Sequence, residues 1–174
     1  MEAHYVLNKH GFDVCSFGTG AKVKLPGPSI DRPNIYDFGT PYTDMYEELK
    51  RQDSDLYVQN GVYYMLERNM KIKKAPERFQ DSKKILDFLI TCEERCYNAV
   101  VEELTKRGGT EGIPVHVFNF DIPDTNEDAA IGARAIKDFA ELIEQNYKDL
   151  DIDELAKNFQ SKTNLRILYT LSFY

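Results

Sequence analysis

Two apolar runs, Ile85 to Thr91 and Val115 to Phe120, are each followed at once by a stretch with helical periodicity. That order, strand then helix then strand then helix, is the strongest constraint in the chain. Near-continuous apolar strands separated by helical crossovers are buried on both faces, and this is how a parallel sheet reads in sequence. The first crossover helix is expected from about Glu93 to Lys106, ending at Gly108-Gly109. The second opens on the capping-box-like Thr125-Asn126-Glu127-Asp128 and runs to about Gln145. Asp151 is expected to cap a last helix ending near Lys162, and the β-forming tail Leu165 to Tyr174 to add an edge strand.

Upstream, Met1 to His10 reads as a helix stopped by Gly11, and Phe12 to Phe17 as a short strand. The glycines and prolines from Gly18 to Pro33 then predict an ordered, irregular loop. Tyr42 to Arg51, Asp55 to Gln59 and Val62 to Ile72 read as short helices with Tyr46, Leu49, Tyr57, Tyr64, Met65 and Leu66 as their apolar contribution. They form a helical insertion at about residues 41–72 beside the core. No repeat, low-complexity segment or linker interrupts the 174 residues, so one domain spanning 1–174 is expected.

Composition narrows the function classes. With 42% hydrophobic and 29% charged residues the chain reads as globular, and no apolar run nears the roughly 20 residues needed to cross a bilayer. A net charge of -7 disfavours direct nucleic-acid binding. The one dense basic run, Lys71, Lys73 and Lys74, reads as a solvated face. Three cysteines, Cys15, Cys92 and Cys96, without a secretory signal imply reduced thiols. No membrane partner is implied. Cys-x3-Cys at 92 and 96, with no further His or Cys pair, is weak as a metal motif, so no metal is expected.

In an open parallel sheet, ligands bind beyond the carboxyl ends of the strands. Cys92, after the first run, sits where a helix N-terminus lowers a thiol pKa, but Glu93 and Glu94 oppose this and a packing role is the better reading. Asp121-Ile122-Pro123-Asp124, after the second run, has two readings. A carboxylate here can donate a proton to a leaving group if partly buried; equally, Asp121 can cap the strand and Asp124 the coming helix. The loop Gly18 to Pro28 could offer Lys22 and Lys24 to a phosphate, but a plain turn is the better reading.

Several segments together resemble one family. They are Met1-Glu-Ala-His, Ser16-Phe-Gly-Thr-Gly, Val23-Lys-Leu-Pro-Gly-Pro, Gln59-Asn-Gly, Met65-Leu-Glu-Arg-Asn and Pro76-Glu-Arg-Phe-Gln. Thr91-Cys-Glu-Glu-Arg, Val115-His-Val-Phe-Asn-Phe-Asp, Asp153-Glu-Leu and the ending Ser172-Phe-Tyr continue the series. In this order they resemble, over essentially the whole chain, the phosphatases that act on the heptad repeats of the RNA polymerase II carboxy-terminal domain during 3′-end processing. The resemblance implies an α/β fold, a three-layer parallel sheet of low-molecular-weight tyrosine-phosphatase type. It also implies a nuclear protein-serine phosphatase working through a cysteinyl-phosphate intermediate, with no metal or cofactor. The implied partners are the phosphorylated polymerase tail and a scaffold protein of the cleavage and polyadenylation machinery.

By the same resemblance Asp124 is the general acid, with Asp121 in reserve, and Lys24, Leu25, Pro26, Tyr57 and Met65 shape the groove for a phosphoserine-proline peptide with its proline cis. That family keeps a Cys-x5-Arg-Ser loop, after a first central strand, directly ahead of Met-Glu-Ala-His. Here Ala21, Asn98 and Glu102 stand six residues beyond Cys15, Cys92 and Cys96, so no Cys-x5-Arg exists in the sequence. The expectation is a chain without its first strand, inactive as written, with a misplaced start at Met1 favoured over a genuine short isoform that serves as a binding module. Small-molecule reductases on a similar sheet, such as arsenate reductases, are a third class; the helical insertion and proline-rich loop favour a peptide substrate over theirs.

Overall fold

The computed structural model describes residues 1–29, 31–146 and 151–174. Ile30, inside the expected loop, lies outside the described residues. The elements run α1 (Glu2–Lys9), β1 (Val23–Ser29), β2 (Arg32–Tyr36), α2 (Tyr42–Gln59), α3 (Val62–Ile72), β3 (Phe88–Thr91), α4 (Glu94–Arg107), β4 (Pro114–Phe120), α5 (Asn126–Asn146), α6 (Ile152–Thr163) and β5 (Ile167–Phe173). The chain divides into two compact units, one of Met1 with Cys15–Ser82 and one of Glu2–Val14 with Lys83–Tyr174.

In the second unit the strand order is β3-β4-β5. β3 and β4 are parallel, with Phe88 opposite His116 and Thr91 opposite Asn119. β5 pairs antiparallel to β4 from Pro114 opposite Phe173 to Phe120 opposite Ile167, which makes the sheet mixed and fulfils the expectation of an added strand from the tail. β4 is central, and Val115, Val117, Phe118 and Phe120 are fully buried. Phe118 and Phe120 enter a core with Ile136, Phe139 and Ile143 of α5, Leu155, Ala156 and Phe159 of α6, and Leu7 of α1. Edge-to-face contacts of Phe139 with Phe118 and Phe120, at 5.0 and 5.3 Å between centroids, organise it. The alternate residues of β4 face the opposite way, towards α4, which buries Tyr97, Val100 and Leu104. Helices therefore cover both faces of the sheet. α4 ends on Gly108, in the left-handed region at φ 82°, and the Asp151 carboxylate caps α6 by accepting from the Asp153 N–H at 2.9 Å.

Phe12 to Phe17, expected as a strand, forms none. A strand needs a neighbour to satisfy its N–H and C=O groups, and among the described residues no strand runs beside this one. Phe12 and Val14 instead pack their side chains against the core.

The first unit also departs from expectation. The Gly/Pro-rich stretch is an antiparallel hairpin, with Val23 opposite Tyr36, Lys24 opposite Ile35, Leu25 opposite Asn34 and Ser29 opposite Arg32. Pro26, Gly27 and Pro28 occupy the irregular step between Leu25 and Ser29, where the ladder is interrupted and a missing N–H costs little. α2 carries the anticipated break: Asp53 is non-helical (φ -164°, ψ 96°), and its carboxylate accepts the Leu56 N–H at 3.1 Å, restarting the helix. Leu25, Tyr36, Tyr42, Met45, Leu49, Tyr57, Val62, Tyr63 and Leu66 make this unit's core. Tyr64, expected to join it, is 72% exposed, because the helical period carries it to the opposite face from Tyr63 and Leu66.

Candidate active site

The acid loop follows from the sheet. β4 ends at Phe120, so Asp121 to Asp124 lie beyond its carboxyl end, and backbone bonds pin the loop there. The Asp121 N–H donates to the Arg166 carbonyl at 3.3 Å, and the Ile122 N–H to the Cys92 carbonyl at 3.2 Å. Capping of the next helix falls to Thr125: its Oγ1 accepts the Asp128 N–H at 3.1 Å and donates to Asp128 Oδ2 at 2.7 Å. The reading of Asp124 as the helix cap is therefore corrected. The side chain of Asp124 is exposed, and among the described residues no hydrogen bond engages its carboxylate. Asp121 is likewise exposed, so the surroundings supply neither carboxyl with the partial burial anticipated for a proton donor.

The first turn of α4 brings a cation close by. The Arg95 guanidinium is held above its usual proton affinity chiefly by its hydrogen bonds to Glu93, with the Asp124 charge acting in the same direction. Arg166 and Glu94, at 3.6 Å, complete a charged rim. Cys92 follows β3 as foreseen; the residue is exposed, and partial desolvation, with the neighbouring Cys96 and Glu93, pushes the thiol up. A thiol shifted in this direction is less readily ionised to the nucleophilic thiolate than a free cysteine. Among the described residues no group of three or more His, Cys, Asp or Glu side chains is arranged to hold a metal ion.

The residues expected to shape a groove belong to the first unit, where a cavity of about 290 Å³ is lined by Leu25 and Met65 together with Phe17, Phe38, Tyr42 and Lys73. Leu25 and Met65 are the two anticipated groove residues that the structure brings together there. Lys24 is exposed on the neighbouring position of β1. Pro26 and Tyr57 are linked through a residue the sequence did not mark: Asn34 Nδ2 donates to the Pro26 carbonyl and to the Tyr57 hydroxyl, both at 2.9 Å. Tyr57 in turn donates to Gln52 Oε1 at 3.0 Å, beside the break in α2. The Tyr42 hydroxyl is pushed up to about 12, first by burial, and so remains a neutral donor on the cavity wall.

Lys73, expected on a solvated face, is corrected. Its ammonium donates to the Ser16 carbonyl, pairs with Glu77 at 3.0 Å and stands 5.6 Å over the Phe17 ring, with 15% of the side chain exposed. Its spacing of four from Glu77 was the available signal. Lys22, weighed as a phosphate ligand, is ion-paired with Asp37.

Comparison with known proteins covers the chain end to end. The family model described as Ssu72-like protein matches residues 1–174. The RNA polymerase II C-terminal domain phosphatase SSU72 of Gallus gallus is 50% identical over 176 residues, spanning 100% of this chain and 90% of that protein. The phosphatase of the same name in Schizosaccharomyces pombe is 49% identical with the same coverage. Among solved structures, Drosophila melanogaster Ssu72 with Symplekin, bound to a cis peptidomimetic phosphoserine peptide of the polymerase C-terminal domain, superposes with a TM-score of 0.92 at 44% identity, covering 99% of this chain and 90% of that one. A further structure of the Drosophila melanogaster serine phosphatase gives 0.93 at 45% identity, with 99% and 92% covered.

Proposed function

The chain belongs to the Ssu72-like family, and on that premise we propose that it is a protein-serine phosphatase of the phosphorylated RNA polymerase II tail, acting in the nucleus in transcription and mRNA 3′-end processing. The observation that carries the reading is half-identity along the whole chain to phosphatases of that name. Its protein partner is a scaffold of the cleavage and polyadenylation machinery; the fly relative is held with a protein partner, Symplekin. All 174 residues serve one phosphatase-like domain.

The reaction needs two displacements at phosphorus. A thiolate attacks, the phosphorus–oxygen bond to serine breaks, and the departing oxygen takes a proton; water then attacks the cysteinyl phosphate, gives up a proton and releases the thiolate. Asp124 is the group that gives the first proton and takes the second, with Asp121 in reserve. Its carboxylate suits the part: it lies past a strand end, has no helix to cap and makes no hydrogen bond among the described residues. Lys24, Leu25, Pro26, Tyr57 and Met65 hold the phosphoserine-proline segment. The proline is cis, a minority conformer in solution that a shaped apolar wall selects.

The nucleophile and the phosphate-cradling arginine are the Cys-x5-Arg element absent from these residues. The 174 residues alone are therefore inactive. That absence also motivates a second reading, a binding module that keeps the partner surfaces and performs no chemistry. The experiment compares this chain with one carrying a Cys-x5-Arg-Ser segment ahead of Met1, by p-nitrophenyl phosphate hydrolysis and circular dichroism. Turnover only in the extended chain supports the phosphatase. A folded extended chain that stays inert refutes it and leaves the binding module.

A further inference from the structure

Gly132 lies in the middle of α5, where glycine costs about 1 kcal/mol relative to alanine, and it is buried. A Cβ placed on it would lie 2.3 Å from Ile122 Cδ1, 2.9 Å from Cγ1 and 3.0 Å from Cγ2. Ile122 belongs to the acid loop. We propose that Ile122 and Gly132 form a steric key that sets the position of Asp124, which makes Gly132 a positioning residue for proton transfer. The proposal rests on the reading of Asp124 as the general acid.

The geometry leaves the loop little freedom. Upstream, the Ile122 N–H is tied to the Cys92 carbonyl and the Asp121 N–H to the Arg166 carbonyl. Downstream, the Thr125 N–H bonds the Pro123 carbonyl at 2.9 Å, and Thr125 caps α5. Only Pro123 and Asp124 lie between the keyed residue and the cap, and proline fixes one of those four soft dihedrals. Wherever the Ile122 side chain seats on α5, the Asp124 carboxylate follows.

A methyl group at position 132 does not permit a purely local escape. Rotation about the outer side-chain torsion carries Cδ1 away. Cγ1 and Cγ2, however, both branch from Cβ and both crowd the site, so rotating the inner torsion exchanges one contact for the other. The residue must withdraw by about half an ångström to regain ordinary contact distances, and it takes the loop backbone with it. Displacements of that size are enough to degrade a catalytic constellation. Ile122→Val removes Cδ1, the worst contact, and keeps both γ carbons, so the pair Ile122→Val with Gly132→Ala relieves part of the crowding.

Two measurements test this. In the 174-residue chain, amide exchange at Ile122 reports the key directly. Gly132→Ala should accelerate it about tenfold and the double variant should restore part of that protection. Unchanged exchange in Gly132→Ala overturns the proposal. In the chain carrying Cys-x5-Arg-Ser, turnover of a phosphoserine-proline peptide is compared with that of p-nitrophenyl phosphate, whose phenolate leaves without being protonated. Gly132→Ala should lower the serine-to-aryl ratio of kcat about tenfold, as Asp124→Asn does more strongly, and the double variant should recover part of it. A general structural loss would lower both substrates together. If Asp124→Asn shifts the ratio and Gly132→Ala does not, the key is refuted while the acid stands. If Asp124→Asn leaves the ratio unchanged, the acid assignment fails and the inference with it.

Discussion

At Gly27 the two strands of the hairpin nearly touch. A Cβ there would sit 1.8 Å from the Arg32 carbonyl oxygen, 2.9 Å from its carbon and 3.1 Å from Pro33 Cα, all backbone atoms that no side-chain rotation can clear. An ordinary carbon–oxygen contact is about 3.3 Å, so Gly27→Ala must part β1 and β2 by about 1.5 Å at this point. The Asn34 bond to the Pro26 carbonyl, 2.9 Å long, does not survive such a separation, and the Ser29–Arg32 pairing next to it loosens. At about 1 kcal/mol for each bond lost, and with partial exposure of Leu25, the expected destabilisation is about 2–3 kcal/mol. Urea unfolding gives the total, and hydrogen exchange read by mass spectrometry over residues 23–36 locates it. Exchange should quicken there and stay as it was in β3, β4 and β5. A loss below about 0.5 kcal/mol with full hairpin protection would show that the strands do not approach as described.

Two further outcomes are expected. Asp151→Ala leaves the Asp153 N–H without its acceptor and should cost about 1 kcal/mol in urea unfolding, while Asp151→Asn, which keeps an acceptor, should retain most of it. His116 is held below its ordinary proton affinity, chiefly by burial, against the opposing charge of Asp87. The unfolded chain therefore binds the proton first as pH falls, and the stability contributed by neutral His116 is full above its ordinary value of about 6.5 and is lost progressively below it. Urea midpoints at pH 7.5 and 5.5 should fall less steeply in His116→Gln; an identical slope removes His116 from the pH dependence.

Much of the site's support was legible because its signals are local. Apolar runs followed by helical periods placed β3, α4, β4 and α5, and with them the position of Asp121 to Asp124 beyond a strand end. Asp151 and the break between Arg51 and Asp55 announced themselves by cap chemistry and by a lapse of apolar period. Absence of Cys-x5-Arg is a property of the sequence and needs no coordinates.

Other features depend on what lies opposite in space. Phe12 to Phe17 has the composition of a strand and no neighbouring strand among the described residues, whereas the Gly/Pro stretch has the composition of a loop and a strand partner in Arg32 to Tyr36. Lys73 is sheltered because Ser16, 57 residues away in sequence, and Phe17 beside it come to meet the ammonium. Asn34 carries no motif, yet it joins Pro26 to Tyr57. Gly132 reads as a minor flaw in a helix until Ile122 is found seated on it. Periodicity and capping are settled within a turn or two of chain, so the sequence determines them. Ladder partners, shared hydrogen bonds and backbone clearances are settled between segments far apart in the chain, and only tertiary structure decides which segments meet.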